Sequence, residues 1–213
     1  IEVNEDAWFQ CYIPGEMPRI EKLKVGPYTA GDEVDYGPVV TKAAQQNILG
    51  LVESGIKQGA ELVVDGRDFS LQGYEDGFFV GPHLFDRVTP EMDIYKKEIF
   101  GPVLSTVRAG SYEEAISLAM DHEYGNGTAI FTRDGDAARD FANRINIGMV
   151  GINVPIPVPL AYHTFGGWKK SVFGDLNQHG PDAFKFYTRT KTITSRWPSG
   201  IKEGGEFNFK AMD

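Results

Sequence analysis

Residues 41–66 read TKAAQQNILGLVESGIKQGAELVVDG, which places a helix pattern directly before a strand pattern. Apolar residues recur at every fourth position from Ala44 to Ile56. Because Thr41 before them is a good helix N-cap, the sequence predicts an amphipathic helix over 41–58. The letters ELVVDG that follow are typical of a strand that ends in a turn. A helix joined directly to a strand is the repeating unit of α/β proteins.

The same alternation continues along the chain. Extended patterns occur in GFFVGPHLFDRV, in residues 103–107, in GTAIFT and in MVGIN. A Ser-x-x-Glu capping box at Ser111 opens a predicted helix over 111–121. Asp134 opens a further predicted helix that runs to Ile145. Strands that alternate with helices predict an α/β fold, with an open, largely parallel twisted sheet and helices on its faces.

The last quarter of the chain carries loop and edge-strand patterns. NVPIPVPL, residues 153–160, has prolines at alternate positions, which excludes a central strand and predicts a stiff extended loop. FGGWKKSVFGD is a glycine-rich loop. RTKTITSR alternates polar and apolar residues, as an edge strand does, and a polar tail follows it.

The net charge of −9 comes from acidic residues spread through the chain. Phosphate backbones and anionic lipid surfaces repel such a protein, so we expect no nucleic acid and no membrane as partner. No run approaches the roughly 20 apolar residues needed to span a bilayer, and the acidic start IEVNEDAWF lacks the positive flank of a signal peptide. We expect a cytoplasmic protein, with the mitochondrial matrix as the alternative.

Cys11 is the one cysteine in the sequence, so it cannot form an internal disulfide or a cysteine-based metal cluster. A nucleophilic cysteine needs a nearby base or a helix N-terminus, and the surrounding FQCYIPG offers neither. Histidine titrates near neutral pH, which makes His163 and His179 acid–base candidates. Since nothing at metal-site or triad spacing accompanies them, we expect surface or supporting positions for both, and no metal site.

Residues 96–103 read KKEIFGPV and combine charge, an aromatic ring and a Gly-Pro break. Residues two apart share one face of an extended strand, so Glu98 and Phe100 are predicted to point the same way. A carboxylate beside a ring suits a ligand with both hydroxyls and a flat heterocycle. An isolated pair of this kind is more often a solvated acid and a core phenylalanine. We interpret Lys96 and Lys97 as a solvated face.

Several motifs in order resemble the C-terminal half of an aldehyde dehydrogenase. They are GPVVTKAAQQ at 37–46, EIFGPV at 98–103, YGNGTAIFTRD at 124–134 and FGGWK at 165–169. NVPIPVPL and FGDLNQHG resemble more specifically the CoA-acylating branch, the methylmalonate-semialdehyde dehydrogenases. The resemblance runs from about Pro18 to Trp197.

The resemblance implies an enzyme that oxidises malonate or methylmalonate semialdehyde with NAD, releases carbon dioxide and transfers the acyl group to coenzyme A. It implies that Glu98 holds the ribose of the nicotinamide half of NAD and that Phe100 packs beside the nicotinamide. A carboxylate can accept hydrogen bonds from both ribose hydroxyls, and a ring limits where the nicotinamide can lie. The resemblance places Phe165 at the substrate tunnel, although a phenylalanine in a glycine loop can equally plug a hinge. Asn153 is expected to shape its loop rather than contact the substrate.

The resemblance also implies a domain organisation. Residues 1–17 are an atypical leader, and 18–186 form part of an aldehyde dehydrogenase catalytic domain. Residues 187–213 supply an oligomerisation strand and the polar tail. We expect a homo-oligomer that pairs through residues 188–197, where RTKTITSR adds its edge to the sheet of another subunit.

The main departure from the family concerns the nucleophile. The family's cysteine should precede the match by a few tens of residues, whereas the sequence before Pro18 does not resemble the family. Cys11 is out of register, so we assign no catalytic residue. The general-base glutamate, the oxyanion-hole asparagine, the substrate-binding arginines and the dinucleotide-binding half are also missing. A thiohemiacetal cannot form without its sulfur, and we expect this chain alone to be inactive.

These observations leave two main hypotheses. The chain is part of a CoA-acylating semialdehyde dehydrogenase, and the activity belongs to the whole enzyme. Alternatively, it is a non-catalytic aldehyde dehydrogenase remnant that acts only in subunit association. A third hypothesis, an unrelated binding module that uses the EIFGP pocket, is disfavoured by the order of the motifs.

Overall fold

The structure is a computed structural model of the chain, and it describes Gly15 and residues 17–197. The helices are α1 (Lys42–Lys57), α2 (Asp93–Lys96), α3 (Tyr112–Asp121), α4 (Gly135–Arg144) and α5 (Ala183–Tyr187), with 3-10 turns at Tyr28–Glu33 and Gly180–Asp182. The strands are β1 (Glu61–Val64), β2 (His83–Asp86), β3 (Val103–Ser105), β4 (Tyr124–Gly125), β5 (Gly127–Ile130), β6 (Met149–Ile152) and β7 (Trp168–Lys169). The helices described for residues 17–197 are each too short or too polar to cross a membrane.

Helix α1 begins where the sequence predicts. The Thr41 side-chain oxygen accepts a hydrogen bond from the Ala44 N–H at 3.1 Å, which satisfies one of the free donors of the first turn. One face of the helix buries Ile48, Leu51 and Val52. The predicted amphipathic helix is therefore confirmed.

The strands form three small sheets within the described residues, β1-β2-β3, β4-β7 and β5-β6. The pairs β2-β3 and β5-β6 are parallel, whereas β1-β2 and β4-β7 are antiparallel. A helix lies in each connection between parallel strands, because the chain must cross back before it runs in the same direction again. Residues 65–82, between β1 and β2, contain turns without a helix. The predicted α/β class is confirmed, with its strands shared among three sheets.

Two hydrophobic cores lie under these sheets. The first core consists of Leu51, Val52, Ala60, Phe85, Val88, Met92 and Ile94. The second core consists of Ile116, Ile130, Phe141, Ile145 and Ile147. The first core therefore joins α1, β2 and α2, and the second joins α3, β5 and α4.

Side-chain caps set the starts of α3 and α4. The Ser111 hydroxyl accepts a hydrogen bond from the Glu114 N–H at 3.2 Å. In a full capping box the Glu114 carboxylate would reach back to the Ser111 N–H, but here it accepts from the Gly110 N–H at 2.7 Å. Asp134 accepts from the Asp136 N–H at 2.7 Å. Both predicted helices are confirmed.

The proline segment at 153–160 lies outside the strands, as predicted. Asn153 fixes its start because the carboxamide accepts from the Thr132 N–H at 2.9 Å and donates to the Thr132 carbonyl oxygen at 3.0 Å. The amide thus imitates a peptide group and extends the pairing of β5 with β6 by one residue. This agrees with the prediction that Asn153 shapes its loop.

Residues 188–197 are exposed and form no strand within the described chain. The predicted edge strand therefore has no strand partner among the described residues, and its pairing with another subunit remains a prediction. Cys11, with most of the predicted leader, and the polar tail from residue 198 lie outside the described residues. The three domain boundaries remain expectations.

A buried histidine lies on β2. His83 is 2% exposed, and neither nitrogen of its ring has a partner with hydrogen-bonding geometry among the described residues. Burial lowers the pKa of His83, because the charged imidazolium is poorly solvated there. The Gly81 backbone and the Asp65 charge oppose this shift without reversing it, and the Arg67 charge adds to it.

His83 is expected to make the free energy of unfolding depend on pH. Its pKa is lower in the folded protein than the ordinary value of 6.5, so the unfolded chain takes up the proton first as the pH falls. The stability due to neutral His83 is therefore complete above about pH 6.5 and is lost below it. Urea unfolding at about pH 7.5 and about pH 5.5 should show a smaller difference for His83→Leu than for the unmodified protein. The matched variant His163→Leu, at an exposed histidine, should keep the original difference; an equal pH dependence in His83→Leu would contradict the prediction.

Candidate active site

The EIFGP segment forms a loop between α2 and β3 that is anchored at its centre. Ile99 is partly buried and packs against the first core, whereas Glu98 and Phe100 on either side of it are exposed. Phe100 is 81% exposed, which is unusual for so large an apolar side chain. The loop therefore presents a carboxylate and a ring to the outside, with the apolar residue between them as its anchor.

The predicted extended conformation of residues 98–100 is wrong. Phe100 has a φ angle of 54°, in the left-handed region, and the segment belongs to no strand. The alternation argument that placed Glu98 and Phe100 on one strand face therefore does not apply here. Their common exposure comes instead from the anchoring of Ile99 between them.

Close packing fixes the end of this loop. A Cβ atom on Gly101 would lie 2.6 Å from the terminal carbon of Ile48 on α1, so a side chain there would displace the loop. The Val103 N–H donates to the Gly101 carbonyl oxygen at 2.7 Å, and the His83 N–H donates to the Pro102 carbonyl oxygen at 2.9 Å. The loop is thus tied to α1 and to β2.

The charged residues before the loop are exposed, as predicted for Lys96 and Lys97. The Lys96 ammonium donates to the Glu91 carbonyl oxygen at 2.8 Å, and Lys97 pairs with Asp93 at 3.3 Å. A hydrogen bond from Ser54, and then one from Lys97, holds the pKa of Asp93 below its usual value. The start of α2 is therefore held in place by α1, only a few residues from Glu98.

Phe165 lies in a second loop and packs against the segment that follows it. Its ring centroid is 4.1 Å from that of His179, with the planes inclined by 36°. A Cβ atom on Gly166 would overlap the Asn177 carboxamide, which shows how closely the two segments approach. The ring contact of Phe165 is with His179 and not with Glu98 or Phe100.

A cavity of about 410 Å³ lies beside this loop, between Trp168 and Asn177. The Asn177 Oδ1 atom is buried and has no hydrogen-bond partner among the described residues. A buried acceptor without a partner is costly, so this position favours an N–H or O–H donor supplied from outside the described chain. The sequence showed Asn177 only as part of FGDLNQHG and gave no sign of this role.

The two histidines near the loop differ in their surroundings. His163 is exposed, and its ring centroid lies 4.7 Å from that of Tyr162. His179 is half-buried against Phe165. Within residues 17–197, no group of three or more His, Cys, Asp or Glu side chains is placed to hold a metal ion.

Lys169 is a residue whose importance the sequence did not reveal. Its ammonium group donates to three carbonyl oxygens at the end of α3. In the sequence, Lys169 is the last letter of FGGWK, and no local pattern indicates which distant backbone it contacts. A tertiary contact of this kind has no signature in helix or strand periodicity.

The sequence is similar to a known protein family and to characterised members of it. The Aldehyde dehydrogenase family profile matches residues 11–193. A malonate-semialdehyde dehydrogenase of Pseudomonas aeruginosa is 59% identical over 92% of this chain and 39% of its own length. A methylmalonate-semialdehyde dehydrogenase of Arabidopsis thaliana, named as acylating and mitochondrial, is 49% identical over 84% of this chain and 30% of its own length.

A solved structure is also similar. The crystal structure of a provisionally named methylmalonate-semialdehyde dehydrogenase from Sinorhizobium meliloti, complexed with NAD, covers 94% of this chain and 40% of that protein. Its sequence identity is 71% and the TM-score is 0.87. The chain therefore spans between 30% and 40% of the length of these three relatives.

Proposed function

Because this chain belongs to the aldehyde dehydrogenase family, we propose that it forms part of an NAD-dependent, CoA-acylating dehydrogenase of malonate or methylmalonate semialdehyde. The observation that carries the proposal is the 59% identity to the Pseudomonas aeruginosa enzyme over 92% of the chain. The family match over residues 11–193 spans both loops of the candidate site. The second substrate would be coenzyme A, which accepts the acyl group.

The EIFGP loop supplies the proposed cofactor contacts. An exposed carboxylate at Glu98 can accept hydrogen bonds from two neighbouring ribose hydroxyls, and the exposed ring of Phe100 can limit where a flat heterocycle lies. Bound NAD would supply hydride acceptance. The residues of this chain would orient the sugar and the base, since the loop is tied to α1 and β2 and does not need to reorganise.

The proposed substrate side lies at the second loop. Phe165 is half-buried and stacked on His179, so its ring has a defined place from which it can border the path of a small aldehyde. The described residues include no cysteine, and the sequence around Cys11 offers no base or helix N-terminus that would activate its thiol. We therefore infer that the thiolate comes from another part of the protein and that this chain alone does not turn over substrate.

Subunit pairing forms part of the same proposal. Residues 188–197 are exposed and form no strand within the described residues, and this segment includes Ile193 at 76% and Trp197 at 89% exposure. Such a segment can add to the sheet edge of a second copy, which supports a homo-oligomer. A cytoplasmic location suits the bacterial relative, and the mitochondrial matrix suits the plant relative. This exposed segment also keeps open the second candidate function, a non-catalytic remnant that acts in association.

Glu98→Gln in the complete protein that contains this chain tests the proposal. The assay follows NADH formation from malonate semialdehyde, NAD and coenzyme A. The unmodified protein should form NADH and acyl-CoA, whereas the 213-residue chain alone should form neither. Loss of a charged hydrogen-bond acceptor should lower kcat/KM for NAD, by a factor that corresponds to about 1–3 kcal/mol of lost transition-state stabilisation.

The matched control is Glu91→Gln, at an exposed acid seven positions before Glu98, which should leave kcat/KM within about twofold. Unchanged kinetics in Glu98→Gln would exclude the ribose role. If the complete protein forms no NADH, the association hypothesis replaces the enzymatic one.

A further inference from the structure

Lys169 satisfies the carboxyl end of helix α3. Its Nζ donates to the carbonyl oxygens of Ala119 at 3.2 Å, Met120 at 2.7 Å and His122 at 3.0 Å. The last carbonyl groups of a helix lack partners within the helix and carry its partial negative charge. An ammonium group with three donors therefore fits this end in number and in charge.

Lys169 also belongs to the loop that carries Phe165. Four positions separate the two residues, and β7 pairs with β4 through Lys169 opposite Tyr124 and Trp168 opposite Gly125. Lys169 has a φ angle of 53°, a conformation that a side chain seldom adopts. Its backbone pairing and its side-chain contacts together hold the exit of this loop on the end of α3.

The next link is the ring of His122. Its Nδ1 lies 3.2 Å from the Tyr124 backbone nitrogen, whose N–H can only donate, so Nδ1 is an acceptor. The proton of the neutral ring is then on Nε2, which donates to the Tyr95 carbonyl oxygen at 3.2 Å. The Tyr95 ring meets the His122 ring edge-on, with centroids 5.2 Å apart, and the Tyr95 hydroxyl donates to the Leu118 carbonyl oxygen at 2.9 Å.

This link reaches the other loop. Tyr95 lies in α2, three positions before Glu98 and five before Phe100. His122 therefore links Lys169 to Tyr95, because its carbonyl oxygen accepts from Lys169 and its ring donates to the Tyr95 carbonyl oxygen. It joins the Phe165 loop to the EIFGP loop, although the ring of Phe165 does not contact that loop.

We propose that Lys169 is a positioning residue that fixes the Phe165 loop relative to the EIFGP loop, acting through the end of α3 and through His122. The inference rests on the proposed function, because it assigns the two loops to the substrate and the cofactor. A helix cap alone would stabilise α3 and have no effect at α2. A positioning role requires that loss of the ammonium group loosens residues 95–100 as well.

Hydrogen exchange in the 213-residue chain tests the coupling without any activity. In Lys169→Met, the amides of Tyr95, Lys96 and Lys97, which donate to Met92 and Asp93 carbonyl oxygens, should exchange about tenfold faster. The matched control Lys170→Met removes an adjacent ammonium group that pairs with Glu123 at the surface, and it should leave these amides unchanged. Faster exchange confined to residues 119–124 would reduce Lys169 to a helix cap and overturn the proposal.

A second variant keeps the test decisive if Lys169→Met does not fold. His122→Phe retains a ring beside Tyr95 but removes the Nε2–H donor and the Nδ1 acceptor of the Tyr124 N–H, while Lys169 keeps its contacts with the carbonyl oxygens at the end of α3. The amides at 95–97 should again exchange faster, while those of α3 should not. Unchanged exchange at 95–97 would overturn the proposal.

Kinetics of the complete protein separate this inference from the proposed function. Lys169→Met should raise KM for both NAD and malonate semialdehyde by about tenfold, as expected for a lost charged hydrogen bond. Lys169→Arg keeps a positive charge at this position and should bring both KM values part of the way back to those of the unmodified protein. A purely structural loss would lower the active fraction, and hence kcat, with both KM values unchanged, which would overturn the inference. If the unmodified protein itself forms no NADH, the proposed function fails, and the exchange experiment still decides whether the two loops are coupled.

Discussion

Arg108→Met is expected to lower the free energy of unfolding by about 3–5 kcal/mol, because it leaves a fully buried carboxylate without its charged partner. Asp86 on β2 is 0% exposed. The Arg108 guanidinium donates to the two carboxylate oxygens of Asp86, with distances of 3.2 Å to Oδ1 and 2.6 Å to Oδ2. Urea unfolding measures the loss.

A surface pair on the same strand end provides the control. Arg87 pairs with Glu61 at 3.2 Å, and both side chains are about 60% exposed. Water screens such a pair, so Arg87→Met should cost less than about 1 kcal/mol. The double variant Asp86→Leu with Arg108→Met should recover part of the loss, since it removes the buried charge itself. Equal effects of Arg87→Met and Arg108→Met would contradict the assignment.

Phe141→Ala is the second variant with a large expected effect, and it should lower the free energy of unfolding by about 3–5 kcal/mol. Phe141 is 0% exposed and belongs to the second core, together with Ile116 on α3 and Ile130 on β5. Removal of the ring leaves a cavity that neighbours on three different elements cannot fill without moving. The same urea titration measures this loss.

Phe173→Ala is the matched control, because Phe173 is 97% exposed and its truncation should change stability by less than about 0.5 kcal/mol. Asp86 lies on strand β2, whereas Phe141 lies on helix α4 in the second core, and neither hydrophobic cluster contains both residues. The losses of Arg108→Met and Phe141→Ala should therefore add within about 0.5 kcal/mol. A strongly non-additive double variant would show that the two parts of the protein are coupled more tightly than their packing indicates.

Local signals were sufficient to predict the three longest helices but not the short helices α2 and α5. Thr41, Ser111 and Asp134 are caps whose side chains bond to the first turn, and each lies directly before the helix that the apolar spacing predicted. A helix start depends on hydrogen bonds between residues two or three positions apart, so the residues that form it can be recognised in the sequence. The parallel pair β5-β6 follows for a similar reason, because the helix that connects these strands was predicted, whereas the short helix α2 between β2 and β3 was not.

The sequence proposed residues for the candidate site, but it did not predict their conformation. The motif resemblance identified Glu98 and Phe100, and their roles remain proposals, while the extended conformation inferred for them was wrong. The left-handed turn at Phe100 depends on the fit of Ile99 into the first core and of Gly101 against Ile48. Such fits join residues that lie far apart in the sequence, so no local pattern shows them. The contacts of Lys169 with α3 were missed for the same reason.

The backbone at Phe100 has a consequence for the choice of residue there. A left-handed conformation costs a bulky side chain of the order of 1–3 kcal/mol, whereas glycine adopts it freely. The ring recovers little of this by packing, since most of it faces solvent. On stability alone, glycine would be the better residue at this position. An aromatic ring at this position therefore fits the proposed contact with another molecule, a contact that would come at some cost in stability.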